Sequence, residues 1–186
     1  LLKSEAIQSL LKNELLILIL QKCLTADYFL EKVLTKLRFE IISTFISSKE
    51  NISKEIYTFI LSLAEQCFFN EYIYLQQEKE NFYVNKIIKS IEKNKKINEL
   101  EVAILACYVP LHSIKGIADK LLNYKSDNIL FNDLIKFQIR EPVQEKKIKN
   151  TIKSLGKISD SVSKKVKMQY EENPYPRWRC TYSNLP

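Results

Sequence analysis

Two stretches of this 186-residue chain carry side chains that could bind or react. The first is Gln66-Cys67-Phe68-Phe69-Asn70-Glu71-Tyr72-Ile73-Tyr74. On a helix, Gln66 and Asn70 share a face, with Cys67, Glu71 and Tyr74 close beside it. Polar groups inside so apolar a run are expected to be buried, and buried polar groups must be hydrogen-bonded. One reading is a polar network that pins two helices together. The other is a site wall that contacts a ligand or a neighbouring domain. Glu71 has the chemistry of a general base, but nothing in the sequence is spaced to work with it.

The second stretch is Gln169-Tyr170-Glu171-Glu172-Asn173-Pro174-Tyr175-Pro176-Arg177-Trp178. Its two prolines fix φ at alternate positions and stiffen the run into an extended segment. Two tyrosines, an arginine and the chain's one tryptophan are the large amphipathic groups that anchor partner surfaces. Arg177 could hold a carboxylate through a bidentate pair. The alternative is a segment leaving the domain and packing on its own helices.

Other reactive types are isolated. His112, the only histidine, follows Pro110 in a loop with no spaced partner and reads as structural. Cys23, Cys67, Cys107 and Cys180 form no CxxC pair and no Cys/His cluster, so no zinc site is expected. They read as small hydrophobes in a reducing, cytoplasmic compartment. Gly116 and Gly156 are the only glycines, where about 7% is usual. A phosphate loop or dinucleotide fingerprint needs several glycines together, so no such cofactor loop is expected in this chain.

The elements that must position these residues read as helices. Leu30, Leu34, Leu37, Ile41 and Phe45 recur at steps of four and three, after Thr25 and Asp27 as candidate caps. Ile56, Ile60, Leu63 and Cys67 repeat the pattern after Ser53. An amphipathic stretch from about Glu78 to Lys93 carries Phe82, Ile87, Ile88 and Ile91. Asn98 with Glu101 resembles a capping box opening a helix over Leu100 to Tyr108, which Pro110 ends. A short helix is expected over Asp119 to Tyr124. Another opens at Ser126 or Asp127, carries Leu130, Leu134 and Phe137, and stops before Pro142. Pro142 suits the first turn of the next helix, with Ile148 and Ile152, ending near Gly156. A last helix starts at Ser159 or Asp160, runs through Val162, Val166 and Tyr170, and closes at Asn173-Pro174.

The expected fold is therefore all-α: about eight helices in an irregular orthogonal bundle, followed by an extended Pro/aromatic tail. Residues 1–170 form the helical domain, and 171–186 the extended segment. No wholly apolar run, Leu15 to Leu20 and Val102 to Val109 included, approaches the ~20 residues of a membrane span. The formal net charge of +7 concentrates at Lys86–Lys96 and Lys146–Lys167. Nucleic-acid binding is the functional reading of such clusters. The lysines lack interleaved arginines or exposed aromatics, so a solvated helix face is preferred. The chain opens on Leu1 rather than Met and reads as a segment of a longer protein or as lacking its start.

Residues 169–178 resemble the QYEENPYPRW signature of bacterial tetratricopeptide-containing class I S-adenosylmethionine-dependent methyltransferases. The Ala64-Glu65-Gln66-Cys67-Phe68-Phe69-Asn70-Glu71-Tyr72 stretch resembles the LAxQCFxNEYVY segment of the same family, and Ile139-Arg140-Glu141-Pro142 resembles its REPL element. Order and rough spacing agree, so the resemblance spans most of the chain. In that family, repeats precede the helical region and a glycine-rich catalytic core follows the signature. The resemblance thus implies a non-catalytic helical accessory domain that binds no S-adenosylmethionine by itself. Its implied partners are the adjacent repeat and methyltransferase domains and a protein or peptide substrate. Tyr170, Asn173, Tyr175, Arg177 and Trp178, with Gln66, Asn70 and Glu71, are the implied substrate or interdomain contacts. A stand-alone helical protein-interaction domain is the alternative.

Overall fold

A computed structural model describes residues 4–48, 52–149, 151–153 and 158–172. Every regular element among the described residues is a helix, with no strand. Seven helices come first: α1 Glu5–Leu11, α2 Glu14–Lys22, α3 Tyr28–Ser48, α4 Lys54–Phe69, α5 Glu78–Lys93, α6 Glu99–Ala106 and α7 Lys115–Leu121. After them, α8 (Ile129–Ile135) passes through a π-helical turn at Lys136–Arg140 into α9 (Glu141–Lys149), and α10 covers Ser161–Glu172.

The caps explain where several helices start. Asn13 Oδ1 accepts from the Leu16 amide at 2.9 Å, and Asp27 Oδ1 from the Leu30 amide at 2.7 Å. Asn98 Oδ1 accepts from the amides of Leu100 and Glu101. The Glu101 carboxylate, expected to complete a capping box there, instead accepts from Ser90 Oγ on α5 at 3.1 and 3.2 Å. Asn128, rather than Ser126 or Asp127, caps α8. Asp160 Oδ2 accepts from the Ser163 amide at 2.7 Å and opens α10.

The middle of the fold is α4. Every residue from Phe59 to Phe69 is buried, the polar Ser62, Glu65 and Gln66 among a largely apolar run. It packs against α1, α2, α6 and α8. From α3 the core takes Leu34, Leu37, Ile41 and Ile42, and from α5 Val84, Ile87 and Ile91. Phe82, read as part of the apolar face of α5, lies on the exposed side.

Two helix boundaries differ from the sequence reading. The short helix before Tyr124 is Lys115–Leu121, earlier than expected. More consequentially, the chain does not break before Pro142. Proline brings no N–H for the carbonyl four residues back, which is Gln138. That oxygen accepts instead from His112 Nδ1 at 3.2 Å, fixing the proton on Nδ1. The π turn, in which the Glu141 amide reaches Lys136 O, supplies the slack that lets the helix pass the proline.

Residues 1–144 form one compact unit, and those from Glu145 onward a second. The division falls inside the 1–170 region that the sequence reading treated as one domain. Within the second unit, Ser161 to Tyr170 of α10 are all exposed.

Candidate functional site

The end of α4 turns without glycine. Glu71 and Tyr72 both hold left-handed backbone, with φ of 56° and 59°. The Tyr72 amide donates to Cys67 O at 2.9 Å and the Glu71 amide to Phe68 O at 3.4 Å. This is a Schellman closure in which glutamate occupies the position that glycine usually takes. Each such conformation costs an L-residue about 1–2 kcal/mol. Two side chains hold the turn. Asn70 Oδ1 accepts from the Tyr72 amide at 3.1 Å, and Tyr72 Oη donates towards Ala106 O (3.3 Å) and Gln138 Oε1 (3.2 Å).

Gln138 is the hub of this region and is fully buried. Its amide nitrogen donates to Ala64 O at 3.1 Å on α4 and to Ala106 O at 3.3 Å on α6. Its oxygen accepts from Tyr72 Oη and from the Leu111 amide. All four donor and acceptor positions are used. Gln66 makes a second hub one turn before Asn70. In the amide orientation that satisfies its neighbours, its nitrogen donates to Cys23 O (2.8 Å) and Leu20 O (3.3 Å). Its oxygen accepts from Thr25 Oγ1 (2.9 Å) and the Thr25 amide (3.0 Å). It fastens the link between α2 and α3 onto α4.

A charged pair lies where α3, α5 and the loop between α4 and α5 meet. Arg38 and Glu80 are 2% and 1% exposed, with Arg38 Nη2 3.6 Å from Glu80 Oε1. The guanidinium donates to Leu75 O (2.8 Å), Tyr74 O (3.3 Å) and Cys107 O (3.4 Å). It also stacks over the Tyr108 ring at 4.4 Å, while Tyr108 Oη donates to Arg38 O at 3.0 Å. Glu80 Oε2 accepts from the Gln77 amide at 2.7 Å and so caps α5. Burial, reinforced by the Glu80 charge, holds the Tyr108 hydroxyl far above its ordinary ionisation range. Burial also raises Tyr74 and, together with Glu99, Tyr57, and it pushes the Cys107 thiol up.

On the Glu80 side of this pair runs an open groove of about 610 Å³ between α3 and the start of α5. Tyr28, Phe39 and Leu75 form its apolar surface, Glu80 also lines it, and Lys32 and Glu40 add opposite charges. Its lining suits binding: apolar area, mixed charge, and a carboxylate already committed to Arg38 and to a helix cap. No group of three or more potential metal ligands occurs among the described residues.

The residues expected from sequence are distributed as follows. Gln66 and Asn70 are buried and Glu71 is half-buried at the end of α4. Tyr170 is 70% exposed on α10. Asn173, Tyr175, Arg177 and Trp178 lie outside the described residues, as do Cys180 and Gly156. Cys67 and Cys107 are buried as read, but Cys23 is exposed at the end of α2. His112 is structural, as the Gln138 contact shows.

Arg38, Glu80 and Gln138 were missed. Arg38 falls on the apolar stripe between Leu34 and Ile41, and Glu80 precedes Val84, Ile87 and Ile91 at steps of four, three and four. A charge in phase with a core stripe was the available signal.

Among the described residues no helix is long and apolar enough to cross a membrane. No family model, no curated protein and no solved structure matches the chain.

Proposed function

We propose that this chain is the helical accessory domain of a larger S-adenosylmethionine-dependent methyltransferase, where it positions a protein or peptide substrate. The observation that carries the reading is the run Gln169 to Trp178, which resembles the family signature in every residue. Two further resembling segments meet in the fold. Tyr72, from the segment ending α4, bonds to Gln138, the residue just before Ile139-Arg140-Glu141-Pro142. Arg140 in turn donates to Leu122 O (3.1 Å) and Tyr124 O (2.7 Å), closing the end of α7. These contacts give both segments a role in holding the fold. The methyl-donor site then belongs to the glycine-rich core expected after the signature.

Titration calorimetry of S-adenosylmethionine into the 186-residue chain tests this reading. No binding heat is expected, and tight binding would overturn the assignment of the donor site to another domain. The parent reading frame gives a second check: a strand and a Gly-rich turn are expected downstream. A gene ending near Pro186 would instead favour a stand-alone interaction domain. The exposed Tyr28 and Leu75 in the groove lining are what support that second reading.

A further inference from the structure

The side of α5 turned away from the core carries a narrow basic stripe. Lys79, Phe82, Lys86, Lys89 and Lys93 follow one another at steps of three, four, three and four, so they line one face over about 21 Å. All five are exposed, Phe82 at 66%. Among the described residues no carboxylate pairs with any of the four lysines. The acidic residues of this helix lie elsewhere: Glu80 is buried against Arg38, and Glu78 and Glu92 fall to one side of the stripe. An exposed aromatic, Phe82, is therefore set among the lysines, where the sequence reading expected none and put Phe82 on the apolar face.

From this stripe we infer that α5 is a docking surface for single-stranded nucleic acid, with the lysines on phosphates and Phe82 stacked on a base. Three observations select this partner over an acidic protein helix. A helix packed along a three-four seam needs an apolar seam, and four of the five positions here are lysine. Burying those ammonium groups against carboxylates would incur a desolvation penalty that solvated phosphate contacts avoid. The cations are lysines throughout, point charges suited to a phosphate chain rather than to bidentate recognition of a carboxylate. An exposed ring among backbone-binding cations is the arrangement of sequence-tolerant single-strand binding.

The test is fluorescence anisotropy of a labelled oligothymidylate of about 12 nucleotides, titrated with the 186-residue chain. With four phosphates neutralised, the slope of log affinity against log salt should be about −2.8, or roughly a 50-fold loss between about 50 and 200 mM salt. Lys86→Glu with Lys89→Glu should weaken binding more than about tenfold and halve the slope. Lys54→Glu with Lys125→Glu, which changes net charge equally at exposed sites off the stripe, should leave binding within about twofold. Phe82→Ala should cost about fivefold or more with the slope unchanged. Circular dichroism of each variant checks that the helices persist. Absence of binding at about 20 mM salt would overturn the inference. So would equal loss in the off-stripe variant, or competition by polyglutamate as effective, charge for charge, as by unlabelled oligonucleotide.

Discussion

Replacing Glu80 tests the physical core of the candidate site. At 3.6 Å the Arg38–Glu80 attraction is about 4.6 kcal/mol at an effective dielectric of about 20. The guanidinium is buried among Tyr74, Leu75, Cys107 and Tyr108, so loss of Glu80 leaves its charge without a counter-charge. Breaking such a pair by removing one charge typically costs about 3–5 kcal/mol. Glu80→Gln keeps an oxygen for the Gln77 amide and should lose about 3 kcal/mol. Glu80→Ala also loses that cap and should lose about 1 kcal/mol more. Arg38→Met alone leaves the carboxylate buried and unpaired, whereas Arg38→Met with Glu80→Gln removes both charges. The double variant should therefore retain at least about 2 kcal/mol more than the sum of the single losses predicts. Urea denaturation followed by far-ultraviolet circular dichroism measures all four proteins. A loss under about 0.5 kcal/mol for Glu80→Gln, or strict additivity in the cycle, would refute the account of a buried charge held by its counter-charge.

Three further outcomes follow from the described contacts. Tyr57, Tyr74 and Tyr108 are all raised by burial, so above about pH 10 the unfolded chain loses phenolic protons that the folded chain keeps. The buried Cys107 thiol acts the same way from about pH 8.5, so stability should begin to fall there and steepen above about pH 10, where the three phenols alone give a limiting slope of about 4 kcal/mol per pH unit; a flat urea midpoint between pH 10 and 11 would contradict this. Lys120 Nζ donates to Ile91 O (2.7 Å), Glu92 O (2.7 Å) and Asn94 O (3.1 Å) at the end of α5, so Lys120→Met should lose about 1–2 kcal/mol and speed amide exchange there. His112→Ala should cost about 1–2 kcal/mol through the orphaned Gln138 carbonyl, and less in a Pro142→Ala background, where an N–H returns to the helix; equal costs in the two backgrounds would show that the proline is not what His112 compensates.

Much of the helical layout was legible in the sequence because apolar periodicity and caps are local signals. Ser53, Asn98 and Asp160 stand where helices begin. What was not legible depends on distant partners. Pro142 reads locally as a stop; the π turn, with a histidine thirty residues upstream in the chain bonded to the Gln138 carbonyl, explains why the helix continues. The polar run ending α4 was recognised as important, and one of its two readings was a network between helices. The partners of that network, Thr25 for Gln66 and Gln138 for Tyr72, lie far away in sequence and could not be named from it. Arg38 was hidden for a different reason: a single charge in an apolar stripe looks like noise until Glu80 is seen beside it.

The glycine-free turn after α4 bears on the order in which this chain folds. Neither Glu71 nor Tyr72 favours left-handed backbone by itself, so the turn gains little from local preference. Besides the local bond to Asn70, it is held from outside, by the reach of Tyr72 to Ala106 and Gln138 across 34 and 66 residues of chain. Such a corner cannot guide early folding. It closes only after α6 and α8 have docked on α4, and substitutions at Tyr72 should accelerate unfolding while leaving the folding rate almost untouched.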